Sequence, residues 1–233
     1  MNPHDETRAV AARYARRSAA GLAGRYSLLR PEVWQSVHER QRALIALLRR
    51  HGRTEPAALR LVEVGCGGGG NLLELLRLGF APARLAGIEL LPERLAEARA
   101  VLPAALTLLE GDAAAAPIAV ASQDLVLAST VFSSLLERAF QQRLADAMWS
   151  WVKPGGAVLW YDFTYDNPRN PDVRGVPLAR LRELFPRARI DARRVTLAPP
   201  LARALCRVHP ALYGVANALP LLRTHVLAWL GKD

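Results

Sequence analysis

The chain is short of several residue types, and each shortage excludes something. It has two cysteines, Cys66 in a glycine-rich turn and Cys206 far along the chain, so neither a disulfide framework nor a zinc site is expected. Lysine occurs only at Lys153 and Lys232, so the formal net charge of +10 is almost wholly arginine. Those arginines are scattered over helical stretches rather than gathered in one run. That pattern reads as a solvated face and speaks against duplex DNA as a partner. The start, MNPHDETRAVAARYARR, lacks the apolar centre of a secretion signal, and no run of about 18 apolar residues follows. No membrane span is expected, and a reducing cytoplasm is the expected setting. What remains, 233 residues of which 51% are hydrophobic and 22% charged, suffices for one well-buried domain with an appendage.

Two periodicities divide the chain. Val10 and Tyr14 indicate a short amphipathic helix, and Trp34, Val37, Gln41, Leu44 and Leu48 recur at helical spacing, with Arg40, Arg42 and Arg49 off that stripe. These helices predict an N-terminal helical cap over residues 1–55. From Arg60 the rhythm becomes alternating strands and helices over 56–233, which argues for an α/β fold, a parallel sheet with crossover helices. Strands are expected near 60–65, 84–89, 106–111, 123–129, 157–163, 188–197 and 224–230, and helices near 70–78, 92–102, 134–151 and 177–185. About 199–222, Leu201, Leu205, Val208, Leu212, Val215 and Leu219 form an apolar helical stripe broken by Pro210. It reads as a helical insertion packed on the domain, with a lid or an interfacial surface for a lipid-linked substrate as the alternative.

The stretch RLVEVGCGGGGNL, Arg60 to Leu72, places an acidic residue inside an apolar strand and then leaves through five glycines. Gly65, Gly67 and Gly70 satisfy G-x-G-x-x-G, which by itself suits any nucleotide. Glu89, at the end of the second strand, suits a bidentate bond to a ribose diol. Glu63 stands two residues before the first glycine, where it disfavours a pyrophosphate but can orient an amino or other cationic group. Asp112, after the third strand, stands where it can accept from an adenine amino group.

EVGCGGG, Glu89, GDA, DLVLAS and VKPGGAVLWYDF, in that order and spacing, resemble the class I S-adenosylmethionine-dependent methyltransferases, over about residues 58–165. The resemblance implies a Rossmann-like seven-stranded sheet, mostly parallel with the last strand antiparallel, helices on both faces, and S-adenosylmethionine as cofactor. It implies that Glu63, Gly65, Gly67 and Gly69 cradle the methionine part and that Glu89 holds the ribose, with Leu90 against the adenine. Asp112 and Ala113 would meet the adenine edge, and Ser129 and Thr130 would face the methyl group. A sulfonium cofactor carries no phosphate, which makes a carboxylate beside the glycine loop tolerable. Cys66 reads as a small apolar filler.

The acceptor is less legible. Ser129-Thr130-Val131-Phe132 is not the Asn/Asp-Pro-Pro-aromatic motif of nucleic-acid amino methylation. The loop WYDFTYDNPRNPDVRGV is similar to one in methyltransferases of bacterial polysaccharide assembly. Its Tyr161, Tyr165, Asn167, Arg169, Asn170 and Arg174 suit a polyhydroxyl or phosphorylated ligand, unless the loop is folded on itself by Asx and Arg bonds. Asp162 and Tyr165 are the candidate general bases, while His209 and His225 read as structural. Three functions follow: O-methylation of a small-molecule or lipid-linked glycan intermediate, methylation of a prenylated quinone or other small aromatic, and a non-catalytic nucleotide-binding module.

Overall fold

A computed structural model describes residues 3–19, 24, 26–168 and 170–233; Arg169 lies outside the described residues. The helices are α1 (Pro3–Ala19), α2 (Pro31–Arg50), α3 (Gly70–Arg77), α4 (Pro92–Val101), α5 (Arg138–Trp151), α6 (Leu178–Leu184), α7 (Pro199–Val208) and α8 (Ala211–Asn217). The strands are β1 (Leu61–Val64), β2 (Leu85–Glu89), β3 (Thr107–Glu110), β4 (Gln123–Ser129), β5 (Val152–Phe163), β6 (Arg189–Leu197) and β7 (Arg223–Gly231). They form one sheet in the order β3-β2-β1-β4-β5-β7-β6. β7 runs antiparallel to both its neighbours and the other six strands are parallel.

Two side-chain layers cover the sheet, and strand alternation sorts them. Val62 and Val64 of β1 face a layer with Phe140, Leu144 and Met148 of α5 and Leu181 and Leu184 of α6. Leu61 faces the other layer, with Ala43, Leu47 and Leu48 of α2, Leu72 and Leu75 of α3, and Leu95 and Ala98 of α4. All four β1 residues are buried, as a central parallel strand covered on both faces requires. The same alternation turns Glu63 toward the α2–α3 side.

The strands match the sequence reading closely, with informative differences. β5 starts at Val152 because that residue already pairs with Gln123 across an irregularity in the ladder. α5 starts at Arg138 because Phe132–Ser134 forms a separate 3₁₀ turn. α2 packs on the sheet, and its Leu47 and Leu48 share a core layer with Leu61 of β1. Trp34, on the predicted apolar stripe, is half exposed, because the first turns of α2 reach past the sheet toward α7.

Candidate functional site

Strand order reverses between β1 and β4, and a cleft opens at the carboxyl ends of strands where neighbours diverge in this way. A cavity of about 420 Å³ lies there. Its floor is the turn after β1, with Gly65, Gly67 and Gly68, and its far wall carries Glu89, Leu90, Asp112 and Ala113. Ser129 and Thr130 line it from β4, and Val10 and Tyr14 of α1 lie across it.

The glycine turn is built for close approach. Gly67 has φ +55°, and a β-carbon there would stand 2.5 Å from Arg94 Nη2. Gly69 has φ +84° and starts α3, and its missing β-carbon makes room for Leu102 Cδ1 at 2.8 Å. Gly69 thus fits α3 against α4 rather than lining the cavity, whereas Gly65 and Gly67 do line it. Cys66 is buried and burial pushes its thiol up to about 12, as befits an inert filler.

Backbone amides fix the second carboxylate. Glu89 Oε2 accepts from Gly67 N–H at 2.7 Å and Oε1 from Leu91 N–H at 3.0 Å. Each oxygen keeps a lone pair for a ligand hydroxyl, so the group is oriented before anything binds. Asp112 Oδ1 accepts from Ala114 N–H at 2.9 Å, which holds that carboxylate at the cavity edge.

Glu63 is fully buried. It lies behind Val64, Gly65 and Asn71, which line the cavity, and is not itself a lining residue. Its Oε1 accepts from Asn71 Nδ2 at 2.5 Å, and its Oε2 has no partner among the described residues. Burial is the largest influence on it and pushes the carboxyl up to about 7, although Asn71 and Arg40 pull the other way. A buried carboxyl oxygen without a partner beside an open glycine loop is suited to a cationic group delivered by a ligand.

Thr130 has φ +55°, a strained conformation for a β-branched residue. Its amide donates to Tyr161 O at 2.7 Å and its hydroxyl to Ser129 O at 2.7 Å, which hold the turn at the exit of β4. Arg40 completes this wall and escaped the sequence reading. It donates to Ser129 Oγ at 3.3 Å, to Asn71 Oδ1 at 2.8 Å and to Glu74 Oε2 at 3.2 Å. The chain Ser129–Arg40–Asn71–Glu63 therefore links the end of β4 to the acid of β1.

The loop after β5 is placed differently from expectation. Tyr161, Asp162, Tyr165, Asn167, Asn170 and Arg174 do not line the cavity. Tyr161 is buried on the α2 side, with its hydroxyl on Thr196 Oγ1 at 2.9 Å, its ring stacked on His225, and burial pushing the phenol up to about 12. Asp162 accepts from Ser133 N–H at 3.0 Å and Phe163 N–H at 2.9 Å, and burial pushes it up to about 7. It pins one loop to another and is buried away from the cavity lining. Tyr165 is half exposed under the Arg194 guanidinium. Asn170 Oδ1 accepts from Asp172 N–H, Asn170 N–H donates to Asn167 O, and Arg174 N–H donates to Ser133 O. These are the bonds of a loop folded on itself.

His225 is buried, and burial pulls its imidazole down to about 4, so it stays neutral. His209 is exposed and its Nδ1 accepts from Ala211 N–H, a local bond at the start of α8. Both are structural. Among the described residues, no cluster of His, Cys, Asp and Glu has a metal-holding arrangement.

α1 roofs the cavity and is fastened by charge. Arg13 Nη2 pairs with Glu6 Oε1 at 2.6 Å and donates to Ser134 O at 3.0 Å, while Glu6 Oε1 also accepts from Leu136 N–H at 2.8 Å. Arg94 lies over the Tyr14 ring, 5.1 Å from its centroid, tying α1 to α4. The sequence signal for this clamp is slight, since Glu6 and Arg13 stand seven residues apart.

Residues 61–156 match the family described as "Methyltransferase domain". No protein with a curated description matches. Solved structures do match, at identities that speak to the fold. A Burkholderia thailandensis 1,6-didemethyltoxoflavin-N1-methyltransferase, with 1,6-didemethyltoxoflavin and S-adenosylhomocysteine bound, is 16% identical with a TM-score of 0.66, covering 100% of this chain and 92% of its own. An S-adenosylmethionine-dependent methyltransferase from Archaeoglobus fulgidus is 14% identical with a TM-score of 0.60, covering 82% and 94%. A TehB-like S-adenosylmethionine-dependent methyltransferase from Corynebacterium glutamicum is 15% identical with a TM-score of 0.58, covering 94% and 96%.

Proposed function

Since residues 61–156 and the fold around them make the chain a member of the class I S-adenosylmethionine-dependent methyltransferase family, with S-adenosylmethionine as its cofactor, we propose that it methylates a small aromatic acceptor such as a hydroxylated, prenylated quinone. The observation that carries this reading is the composition of the acceptor side. Val10, Tyr14 and Tyr26 make an apolar, aromatic wall, and Arg40, Ser129 and Thr130 supply the polar groups opposite. A wall of this kind, an aromatic and aliphatic face together with a few placed polar groups, suits a compact ring. The glycan reading draws no support from the cavity, because none of the described residues of the polar loop on which it rested lines it.

The cofactor presents an electrophilic methyl group when bound. The protein's part is to hold, align and exclude water. Glu63, with Gly65 and Gly67, would hold the amino-acid tail, Glu89 the ribose hydroxyls, and Leu90, Asp112 and Ala113 the adenine. α1 closes the top through Val10 and Tyr14. Among the described residues lining the cavity, the carboxylates are Glu89 and Asp112, both of which would serve the cofactor, and no imidazole is present. A sugar alcohol needs a base to lose its proton. A phenol or hydroxyquinone ionises more readily, and the Arg40 cation near Ser129 favours its anion. The intact set Glu63, Glu89 and Asp112 argues against a non-catalytic module.

Incubation with methyl-labelled S-adenosylmethionine and a panel of phenols, hydroxyquinones and saccharides tests the proposal. Label should pass to the phenolic oxygens, and Arg40→Met should depress that transfer about tenfold or more, the share expected of one charge-assisted contact. Transfer confined to the saccharides would overturn the acceptor assignment.

A further inference from the structure

We propose that the α7–α8 hairpin is a docking surface for an anionic lipid bilayer. The proposal is independent of which acceptor the cavity takes.

The hairpin has too much exposed aliphatic surface for a solvated face. From Val208 to Leu222 the chain carries no Lys, Arg, Asp or Glu. Its inward residues make a small core of their own, where Tyr213 is buried with Ala202, Cys206 and Leu197, and the Tyr213 hydroxyl accepts from Leu197 N–H at 3.4 Å. The outward residues have no such neighbours: Val208 is 76% exposed, Val215 70%, Leu219 57% and Leu221 88%. Scattered exposed aliphatics are ordinary, but four from one fifteen-residue uncharged stretch form a patch of the kind that marks an interaction site.

Charge selects the partner. From Arg193 to Arg223 the chain has five arginines and no carboxylate. Arg203 and Arg207 flank the patch on α7, with Arg203 within electrostatic reach of Glu32 of α2. Arg223 donates to Asn217 O at 2.8 Å and to Arg194 O at 3.0 Å, which draws the β6 and β7 arginines together beneath α8. Aliphatic residues projecting from a rim of arginine is the pattern of a segment lying at an anionic membrane surface. A second copy of this chain is a poorer occupant, because a two-fold contact would set the same arginine rim against itself.

Position agrees. α7 leaves the carboxyl end of β6, the same end of the parallel strands at which the cavity opens. α7 also contacts α2, beside whose first turn Leu29 is 94% exposed. Tyr26, 75% exposed, belongs both to this edge and to the cavity wall. A bilayer on the hairpin would thus lie next to the cavity mouth.

Flotation of the full chain with vesicles tests this, using phosphatidylcholine alone and phosphatidylcholine with 30% phosphatidylglycerol as probes. The chain should float with the anionic vesicles, weakly with the neutral ones, and less as salt rises. The double variant Val215→Asp, Leu221→Asp should lose binding about tenfold or more, and Arg203→Gln with Arg207→Gln should lose it on anionic vesicles only. All four side chains lie outside the core, and unchanged melting and unchanged S-adenosylhomocysteine binding would confirm intact folding of the variants. Failure to float with anionic vesicles, equal flotation of the aspartate variant, or a wild-type dimer that the aspartate variant dissolves while neither floats would each overturn the proposal.

Discussion

At the scale of single residues, Glu63 carries the sharpest consequence. Burial raises its carboxyl from the usual 4.5 to about 7. An acid raised in the folded state binds a proton that the unfolded chain releases at lower pH. The stability it contributes is therefore present below about 4.5 and is lost as pH climbs through 7. A cationic amino group beside it reverses the preference and favours the carboxylate. S-adenosylhomocysteine should accordingly bind more tightly as pH rises from 6 to 8, with close to one proton released near pH 6 and about half a proton near pH 7. Calorimetry in two buffers of different ionisation enthalpy measures that proton, and Glu63→Gln should abolish it. Identical heats in both buffers for the wild type would mean that the acid does not meet the ligand's amino group. The acid itself was legible, because a carboxylate inside LVEV is anomalous in any buried strand. Its partners were not: Arg40 and Asn71 sit on two helices whose polar positions look like ordinary solvent faces until the sheet brings them together.

At the scale of elements, α1 is a roof held at a few points. Among the described residues, removing Glu6 leaves Arg13 partnered only by Ser134 O, in a site where its side chain is 10% exposed. Breaking a buried pair in this way costs about 3–5 kcal/mol where the site cannot rearrange. A terminal helix has an easier escape, since it can lift off whole. Glu6→Ala should therefore raise hydrogen exchange across α1 by ten times or more and speed S-adenosylhomocysteine release, while the melting temperature of the sheet moves by only a few degrees. Unchanged exchange in α1 would show that Val10 and Tyr14 hold the helix without the ion pair. The loop after β5 shows the limit of reading polarity as function. Its Asx, Tyr and Arg pattern is equally that of a ligand surface and of a self-bonded loop, and only tertiary contacts decide. Asp166 accepting from Gly175 N–H at 2.8 Å, nine residues away, is such a contact. By the same logic Arg174→Ala should leave both cofactor affinity and turnover within about threefold, a difference below 1 kcal/mol. A tenfold loss of turnover at unchanged cofactor affinity would return that loop to the acceptor site.

At the scale of the molecule, the switch between β1 and β4 sets the site, and the chain disposes everything else around it. The glycine turn, Glu89 and Asp112 were readable because each sits at a strand end, where local sequence determines position. The roof and Arg40 were not, because Tyr14 and Arg40 reach the cavity from helices far in sequence from the strand-end motifs. The central claim is that this cleft binds a phosphate-free adenosyl amino acid through Glu63 and Glu89. Titration calorimetry of the wild type and Glu89→Ala, each with S-adenosylhomocysteine and with NAD, tests it most directly. The wild type should bind S-adenosylhomocysteine and give no measurable heat with NAD. Loss of the Glu89 bonds should weaken the former roughly 10- to 100-fold, at about 1.5–3 kcal/mol per charge-assisted bond, in a variant that still folds. Tight NAD binding with no response to S-adenosylhomocysteine, or a folded Glu89→Ala variant of unchanged affinity, would contradict it.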